Sequence, residues 1–173
     1  IVGLGTVKHL NASNCTDLEE IDCRFNSISE LNVTGCISLK KLICGYNKLS
    51  FLNISQNNML EELDCSNNEL GDINTSQATF LKQLDISRNN IKFLDLRKNT
   101  LLTHLWAMNN PLETIELSIF PLVTFIYSEA TTNKIEYNRE PTIGGYILYY
   151  YYRPEVYVDG SMVNTIHQMY VPQ

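Results

Sequence analysis

The side chains of this protein that could do chemistry recur at a fixed step instead of converging on one place. Cys23, Cys44 and Cys65 are spaced at one constant interval, and the carboxylates of Asp64 and Asp85 have the same spacing. The three histidines are scattered, and the sequence contains no zinc-protease, nucleophile-elbow or phosphate-loop motif. Catalysis requires titratable groups that converge in a pocket, which a repeated surface does not provide. We therefore expect no enzymatic activity and no cofactor.

These positions belong to a motif that is copied about six times between Leu18 and Tyr137. The step is twenty-one positions until the last copy, where we place Phe125 in the column of Leu105, a step of twenty. A fixed period of this size indicates a solenoid, in which each coil packs only against its neighbours. The three apolar columns are Leu18, Leu39, Leu60, Leu81, Leu102, Leu122; Ile21, Leu42, Leu63, Leu84, Leu105, Phe125; and Ile28, Leu49, Leu70, Ile91, Leu112.

Each copy divides into two similar halves. The first half carries an inward pair spaced by two residues, as in Ile21 and Cys23, and Leu31 and Val33 repeat that spacing ten residues later. Two-residue spacing is the period of a β-strand, and no stretch of three or more helical turns shows apolar residues at three- and four-residue spacing. The sequence therefore predicts a β-solenoid with two short parallel strands in each coil.

An asparagine column follows the first strand of each copy by three residues. An asparagine amide donates and accepts at once, so it can satisfy the turn backbone of its own coil and of the adjacent coil. We expect a structural ladder, with no binding role, formed by Asn26, Asn47, Asn68, Asn89 and Asn110.

The combined pattern resembles the leucine-rich repeat, in its short 21-residue bacterial form with cysteine in the strand. The resemblance is carried by segments such as Leu60-Glu61-Glu62-Leu63-Asp64-Cys65-Ser66-Asn67-Asn68-Glu69-Leu70. It implies a leucine-rich-repeat solenoid that serves as a scaffold for recognition. Because similar proteins lie on bacterial cell surfaces, it also implies a secreted or cell-surface location, although no leader is visible.

We expect three regions along the chain. Residues 1–17 form a partial N-terminal coil, residues 18–137 form the leucine-rich-repeat solenoid, and residues 138–173 form a β-hairpin cap. The last region and its boundary contain eight of the ten tyrosines and a predicted turn at Asp159-Gly160. Such a cap would cover the open end of the solenoid, and the alternative is a tyrosine platform that binds glycan or peptide.

Composition restricts the partners. The chain has 173 residues, 44% of them hydrophobic, which fits one globular domain. The formal net charge is -6 and there is no basic run, so we expect no nucleic-acid partner. No apolar run reaches the ~18 residues that a membrane span needs, so we expect no membrane insertion. We expect a monomer whose five cysteines are free thiols.

One outward-facing patch departs from the solvated character of the predicted first sheet. In its N-terminal half, glutamates and lysines alternate from coil to coil and compensate each other. Farther along, the only tryptophan, Trp106, is predicted to face away from the core with His104 and Met108 on the same strand and Ile126 on the next. A second candidate patch consists of Phe25 and Tyr46.

Exposed aromatic residues with apolar neighbours are typical of a binding hot spot. We therefore predict a non-enzymatic recognition or adhesion module that binds a protein or glycan through the sheet face carrying Trp106. The alternatives are a passive spacer in a larger surface protein, with the patch covered by the C-terminal segment, and a regulatory region of an enzyme. Asp64 and Asp85 on adjacent coils raise the alternative of a calcium ion, but without a ligand loop we expect no metal.

Overall fold

The computed structural model describes residues 5–117 and, beyond them, the backbone of five short strands. The described residues contain no helix, and hence no helix that could cross a membrane. Their strands are β1 (His9–Asn11), β2 (Glu20–Asp22), β3 (Glu30–Asn32), β4 (Lys41–Ile43), β5 (Glu62–Asp64), β6 (Gln83–Asp85), β7 (Phe93–Leu96), β8 (His104–Trp106), β9 (Thr114–Leu117), β10 (Phe125–Ser128), β11 (Lys134–Tyr137), β12 (Ile147–Tyr150), β13 (Glu155–Val158) and β14 (Ser161–Val163).

One face of the solenoid is a parallel sheet, which we call the first sheet. In the described part of the chain it contains seven strands in the order β2, β4, β5, β6, β8, β10 and β12. From β2 to β8 each strand residue pairs with its counterpart in the next copy of the motif, as the repeat predicts. The middle residue of each strand points into the core, and Leu42, Leu63, Leu84 and Leu105 are at most 1% exposed. The sequence thus predicted the parallel β-solenoid correctly.

The opposite face is a second sheet with an interruption. Strand β1 pairs with β3, and a separate group runs in the order β7, β9, β11, β13 and β14. Between the two groups, residues 51–54 and 72–75 form no strand, so the prediction of two strands per coil is wrong for these two coils. At Asp72, Oδ1 accepts a hydrogen bond from the Ile73 amide at 2.7 Å. That amide is then engaged within its own coil.

The register of the last copies also differs from the prediction. Strand β10 pairs with β8 so that Ile126 lies beside Leu105, while Phe125 lies beside His104 and Tyr127 beside Trp106. The step from β8 to β10 is therefore the same as in the earlier coils, and the predicted step of twenty is wrong here. The shorter step occurs on the other face instead, where Thr114 is paired with Lys134. A one-residue shift in a strand exchanges inward and outward positions.

The strands near the C-terminus extend both sheets. Strand β12 pairs in parallel with β10, and β13 pairs in parallel with β11. Strand β14 pairs antiparallel with β13, with Val156 opposite Val163, as the predicted hairpin requires. The Asp159-Gly160 turn, the side chains of the tyrosine-rich cap and the start of the predicted partial coil lie outside the described residues.

Candidate functional site

The asparagine ladder fixes the turn that follows each strand of the first sheet. Asn47 Nδ2 donates to the carbonyls of Cys44 and Gly45 in its own coil, at 3.0 and 3.2 Å, and to Cys23 of the preceding coil at 3.0 Å. Its Oδ1 accepts from the Ile28 amide at 3.0 Å. Asn68, Asn89 and Asn110 repeat this arrangement. The ladder thereby sets the spacing of the side chains on the sheet.

Ion pairs between coils cover the N-terminal half of the first sheet. Lys40 pairs with Glu19 at 3.0 Å, Lys82 with Glu61 at 2.6 Å, and Lys41 with Glu62 at 2.7 Å. Each pair is partly exposed and contributes little to stability. Their effect is that most charged groups on this half of the face already have a partner within the protein.

The carboxylate of Asp22 is also occupied. Arg24, two residues later, donates from Nε to Asp22 Oδ1 at 3.1 Å and from its terminal nitrogen to Oδ2 at 2.7 Å. This fork lowers the pKa of Asp22, since the hydrogen bonds to the guanidinium favour the ionised carboxylate. The same arrangement recurs on the second sheet, where Arg97 holds Asp95.

Farther along the same face, two carboxylates lack such a partner among residues 5–117. Asp64 and Asp85 lie side by side on β5 and β6, and Asp85 lies beside Trp106 on β8. Neither carboxylate forms an ion pair in this part of the chain. Burial raises the pKa of Asp85, and the charge of Asp64 adds to the rise. Together with Glu62, Leu63 and Gln83, these three side chains line a surface pocket of about 160 Å³, which we call the acidic pocket.

Gly45 makes room for this arrangement. A Cβ at that position would lie 2.9 Å from Asp64 Oδ1 and 3.0 Å from Ser66 Oγ. The absence of a side chain therefore lets the Asp64 carboxylate lean over the neighbouring coil, toward Arg24. The pKa of Arg24 is raised chiefly by its hydrogen bonds to Asp22, and the charge of Asp64 adds a smaller effect. The guanidinium is thus held by Asp22 while Asp64 acts on it only at a distance.

The predicted patch around Trp106 is partly assembled. The rings of His104 and Trp106 stack with centroids 5.5 Å apart and an angle of 17° between their planes. Thr103 Oγ1 lies 2.9 Å from His104 Nδ1 and fixes that ring. His104, Trp106 and Met108 are all half-buried, so the indole that the sequence predicted to face outward is only partly exposed. A half-buried ring stacked on one side is a rigid contact surface rather than a mobile one.

Ile126 does not occupy the predicted place next to Trp106. The register puts Ile126 beside Leu105, whose side chain points into the core, and gives Tyr127 the position next to Trp106. The side chains of these residues of β10 lie outside the described part. The candidate patch therefore rests on His104, Trp106 and Met108, together with the acidic pocket.

The two aspartates that raised the alternative of a calcium ion do not form a metal site with their neighbours. Residues 5–117 contain no group of three His, Cys, Asp or Glu that could hold a metal ion. Asp64 and Asp85 are only two such groups on adjacent strands, and each also accepts a hydrogen bond from its own turn. What they offer is a pair of carboxylates at the surface of the sheet.

Phe25 and Tyr46 form the second predicted patch, and both have a strained backbone that the sequence did not reveal. Their rings stack at 4.5 Å and each residue is 48% exposed. Both have positive φ angles, 55° and 56°, in the left-handed region that asparagine and glycine tolerate best. The equivalent residues of later coils are Asn67, Arg88 and Asn109. Two bulky aromatic residues in strained positions, with half of their surface in water, are not explained by stability.

An exposed apolar stripe was missed by the sequence analysis. Met59, Phe80 and Leu101 occupy the same position in successive copies of the motif, and they are 42%, 46% and 47% exposed. The signal was the column of apolar residues that immediately precedes the buried Leu60, Leu81 and Leu102. None of the three lines the acidic pocket.

The five cysteines are free, as predicted. Cys23, Cys44 and Cys65 are buried on successive coils, and burial raises the pKa of all three, that of Cys23 to about 11. Only Cys15 among the five is exposed. The buried thiols act as small apolar core residues.

Comparison with known proteins supports the architecture. No protein-family model and no curated protein matches this chain. Among solved structures it is similar to the functional domain of InlJ from Listeria monocytogenes, which is described as including a cysteine ladder, with 25% sequence identity and a TM-score of 0.67. The similarity covers 90% of this chain but only 37% of that one. This chain has its own column of buried cysteines, Cys23, Cys44 and Cys65.

Proposed function

We propose that this chain, a leucine-rich-repeat solenoid, is a non-enzymatic recognition module that binds a protein or glycan through the first sheet at Trp106. Its likeness to an InlJ domain supports an interaction or adhesion module in general. The resemblance of its repeats to bacterial cell-surface proteins further supports a location outside the cell. The surface around Trp106 is supported by its geometry and not by that likeness.

The observation that carries the proposal is the contrast between rows of outward side chains on one sheet. From β2 to β6, lysine and glutamate side chains at or just before the start of the strands pair across coils, so these rows need no outside partner. The row that contains Asp64, Asp85 and Trp106 instead combines an indole stacked on His104 with carboxylates that have no basic partner among residues 5–117. Binding hot spots combine a rigid aromatic anchor with polar groups that the partner must satisfy.

Phe25 and Tyr46 supply a second contact region under the same proposal. They lie in the turns that follow β2 and β4, and both are about half-exposed despite a strained backbone. Strain retained at exposed aromatic residues is typical of a binding role. A ligand that spans both regions would lie along several coils of the first sheet.

The test uses Trp106→Ala and a control, Phe93→Ala, which removes an exposed aromatic residue from the second sheet. Both variants are first checked for unchanged far-UV circular dichroism. They are then assayed for capture on an array of defined surface proteins and purified glycans. We expect Trp106→Ala to lose capture of the ligand that the unaltered chain binds, and Phe93→Ala to retain it.

Equal capture by a folded Trp106→Ala variant would contradict the proposal. Failure of the unaltered chain to bind any member of the array would favour a passive spacer. The double variant Phe25→Asn/Tyr46→Asn separates the second region, because loss of capture by it alone would move the site away from Trp106.

A further inference from the structure

We propose that the acidic pocket formed by Asp64, Asp85 and Trp106 binds a lysine or, preferably, an arginine side chain of a protein ligand. This inference rests on the proposed recognition role of the first sheet and names the chemistry of its partner. It selects a basic protein segment over a neutral glycan.

Four aspartates lie in equivalent turns of the solenoid, and only two of them are held by an arginine. At Asp22 and Asp95 the residue two positions later is an arginine, which closes the carboxylate with a two-pronged hydrogen bond. At Asp64 and Asp85 that residue is a serine. A serine side chain is too short to form this two-pronged hydrogen bond. Asp64 and Asp85 therefore keep the backbone hydrogen bond of the turn but are not paired with a guanidinium.

The hydrogen bonds of the two carboxylates show what remains available. Asp64 Oδ1 accepts from the Ser66 amide at 2.9 Å and from Ser66 Oγ at 2.7 Å, and Asp85 Oδ1 accepts from the Ser87 amide at 2.8 Å. Within residues 5–117, neither Oδ2 receives a hydrogen bond from the protein. In each carboxylate, Oδ1 is thus hydrogen-bonded within the turn, and Oδ2 is left to accept a hydrogen bond from a ligand.

Trp106 supplies the second element of a cation site. It lies beside Asp85 on the adjacent strand and lines the same pocket. The face of an indole attracts a cation, and arginine in addition stacks on it with its flat guanidinium. His104 stacks against Trp106 and holds the ring in place. A guanidinium seated here would meet the indole and an open carboxylate oxygen together.

Charge and size agree with this occupant. Two carboxylates on adjacent strands repel each other, and the chain as a whole carries a net charge of -6. A bound cation would relieve that repulsion. The pocket, at about 160 Å³, is large enough to receive a single side-chain head group.

The experiment exploits the fact that Trp106 is the only tryptophan in the chain. Its fluorescence is titrated at low salt with tetra-arginine, tetra-lysine, tetra-glutamate and a neutral oligosaccharide. We expect a saturable change with the two basic peptides, stronger with tetra-arginine, that weakens as salt is added. Tetra-glutamate and the oligosaccharide should produce no saturable change.

The first variant removes the two carboxylates of the pocket and keeps its shape. Asp64→Asn/Asp85→Asn preserves the turns, because four asparagines make the same backbone hydrogen bond elsewhere in the solenoid: Asn11, Asn32, Asn53 and Asn74. The variant should weaken tetra-arginine binding on the order of tenfold or more.

A matched control separates the pocket from the general negative charge. Glu30→Gln/Asp95→Asn removes the same number of charges from the second sheet, so it should leave tetra-arginine binding nearly unchanged. Asp22 is not used for this purpose, because its removal would release Arg24, whose guanidinium could then turn to Asp64 across Gly45.

Three results with the basic peptides would overturn the inference. They are no saturable change with basic peptides, equal weakening by the two double variants, and retention of full affinity by Asp64→Asn/Asp85→Asn. A saturable change in Trp106 fluorescence with the oligosaccharide would also overturn it, while leaving the proposed recognition role intact. Absence of any ligand effect at Trp106, together with unchanged capture by Trp106→Ala, would contradict both proposals.

Discussion

The hydroxyl of Thr75 donates a hydrogen bond to Oδ1 of Asn99 at 2.7 Å inside the core of the solenoid. One side of Asn99 is therefore satisfied by a side chain, while its Nδ2 donates to the carbonyls of Thr75 and Ala78. Two coils earlier, Asn57 makes the equivalent Nδ2 hydrogen bonds, to the carbonyls of Val33 and Cys36. Its Oδ1 is buried without a partner, because Val33 stands where Thr75 stands in the later coil.

This pair of sites predicts opposite effects for two nearly isosteric substitutions. Thr75→Val should lower the free energy of unfolding by about 1 to 3 kcal/mol, since it leaves Asn99 Oδ1 unpaired. Val33→Thr should raise it by about 0.5 to 1.5 kcal/mol by pairing Asn57 Oδ1. Urea denaturation followed by circular dichroism measures both. Ile54→Thr is the control. In that coil Ala78 takes the place of the asparagine, so the new hydroxyl would have no Oδ1 to bind and the variant should be destabilised.

Removal of one member of the asparagine ladder should destabilise the whole solenoid. Asn68→Ala removes hydrogen bonds to three carbonyls and one amide, so we expect a loss of more than about 3 kcal/mol. Asn68→Asp keeps the acceptor but cannot donate, so it should also be strongly destabilised. The exposed Asn58, changed to alanine, should alter the denaturation midpoint little. A comparable midpoint for Asn68→Ala and Asn58→Ala would refute a structural role for the ladder.

The strained aromatic pair predicts a variant that is at least as stable as the unaltered chain. Replacement of both Phe25 and Tyr46 by asparagine relieves left-handed strain of about 1 kcal/mol at each site. It gives up a ring stack that is worth about 0.5 to 1.5 kcal/mol. Thermal unfolding should therefore show an unchanged or higher Tm. A clear fall in Tm would mean that the rings serve stability rather than binding.

The carboxylate of Asp85 should make stability depend on pH in a specific direction. Because its pKa is raised in the folded protein by burial, ionisation disfavours folding, and this penalty fades as the pH falls through the raised pKa. Asp85→Asn should therefore increase stability at neutral pH, with a gain that shrinks in acid. Asp22→Asn should instead decrease stability at neutral pH. Hydrogen bonds from Arg24 lower the pKa of Asp22 in the folded protein, so its ionised form stabilises the fold above pH 3.8, and this stabilisation is lost in acid. Unfolding curves across this pH range measure both effects.

Thiol reactivity should distinguish the exposed cysteine from the buried ones. Cys15 is exposed, whereas the other four are buried and the pKa of each is raised by burial. An aromatic disulfide reagent should therefore titrate one thiol rapidly in the native chain and all five after unfolding. Cys15→Ser should abolish the rapid phase. Rapid reaction of a second thiol in that variant would contradict the buried column.

The sequence by itself determined the repeat architecture. A constant period with apolar pairs two apart admits a stacked β-solenoid and little else, because each coil can bury its leucines only against equivalent leucines. The same repetition made Asn47 and its counterparts recognisable as turn residues, since one amide must satisfy two coils. The pairing of charges along the first sheet also followed from the register.

Tertiary structure decided what periodicity leaves open. Whether Phe125 or Ile126 joins the column of Leu105 depends on how the connecting residues fit, and a single residue of length exchanges the two faces. The left-handed backbone of Phe25 and Tyr46 is set by the turn, whatever side chain the position carries. The acidic pocket also depends on tertiary structure, because Asp64, Asp85 and Trp106 come from three different coils. Only the packing shows which of their carboxylate oxygens are already hydrogen-bonded.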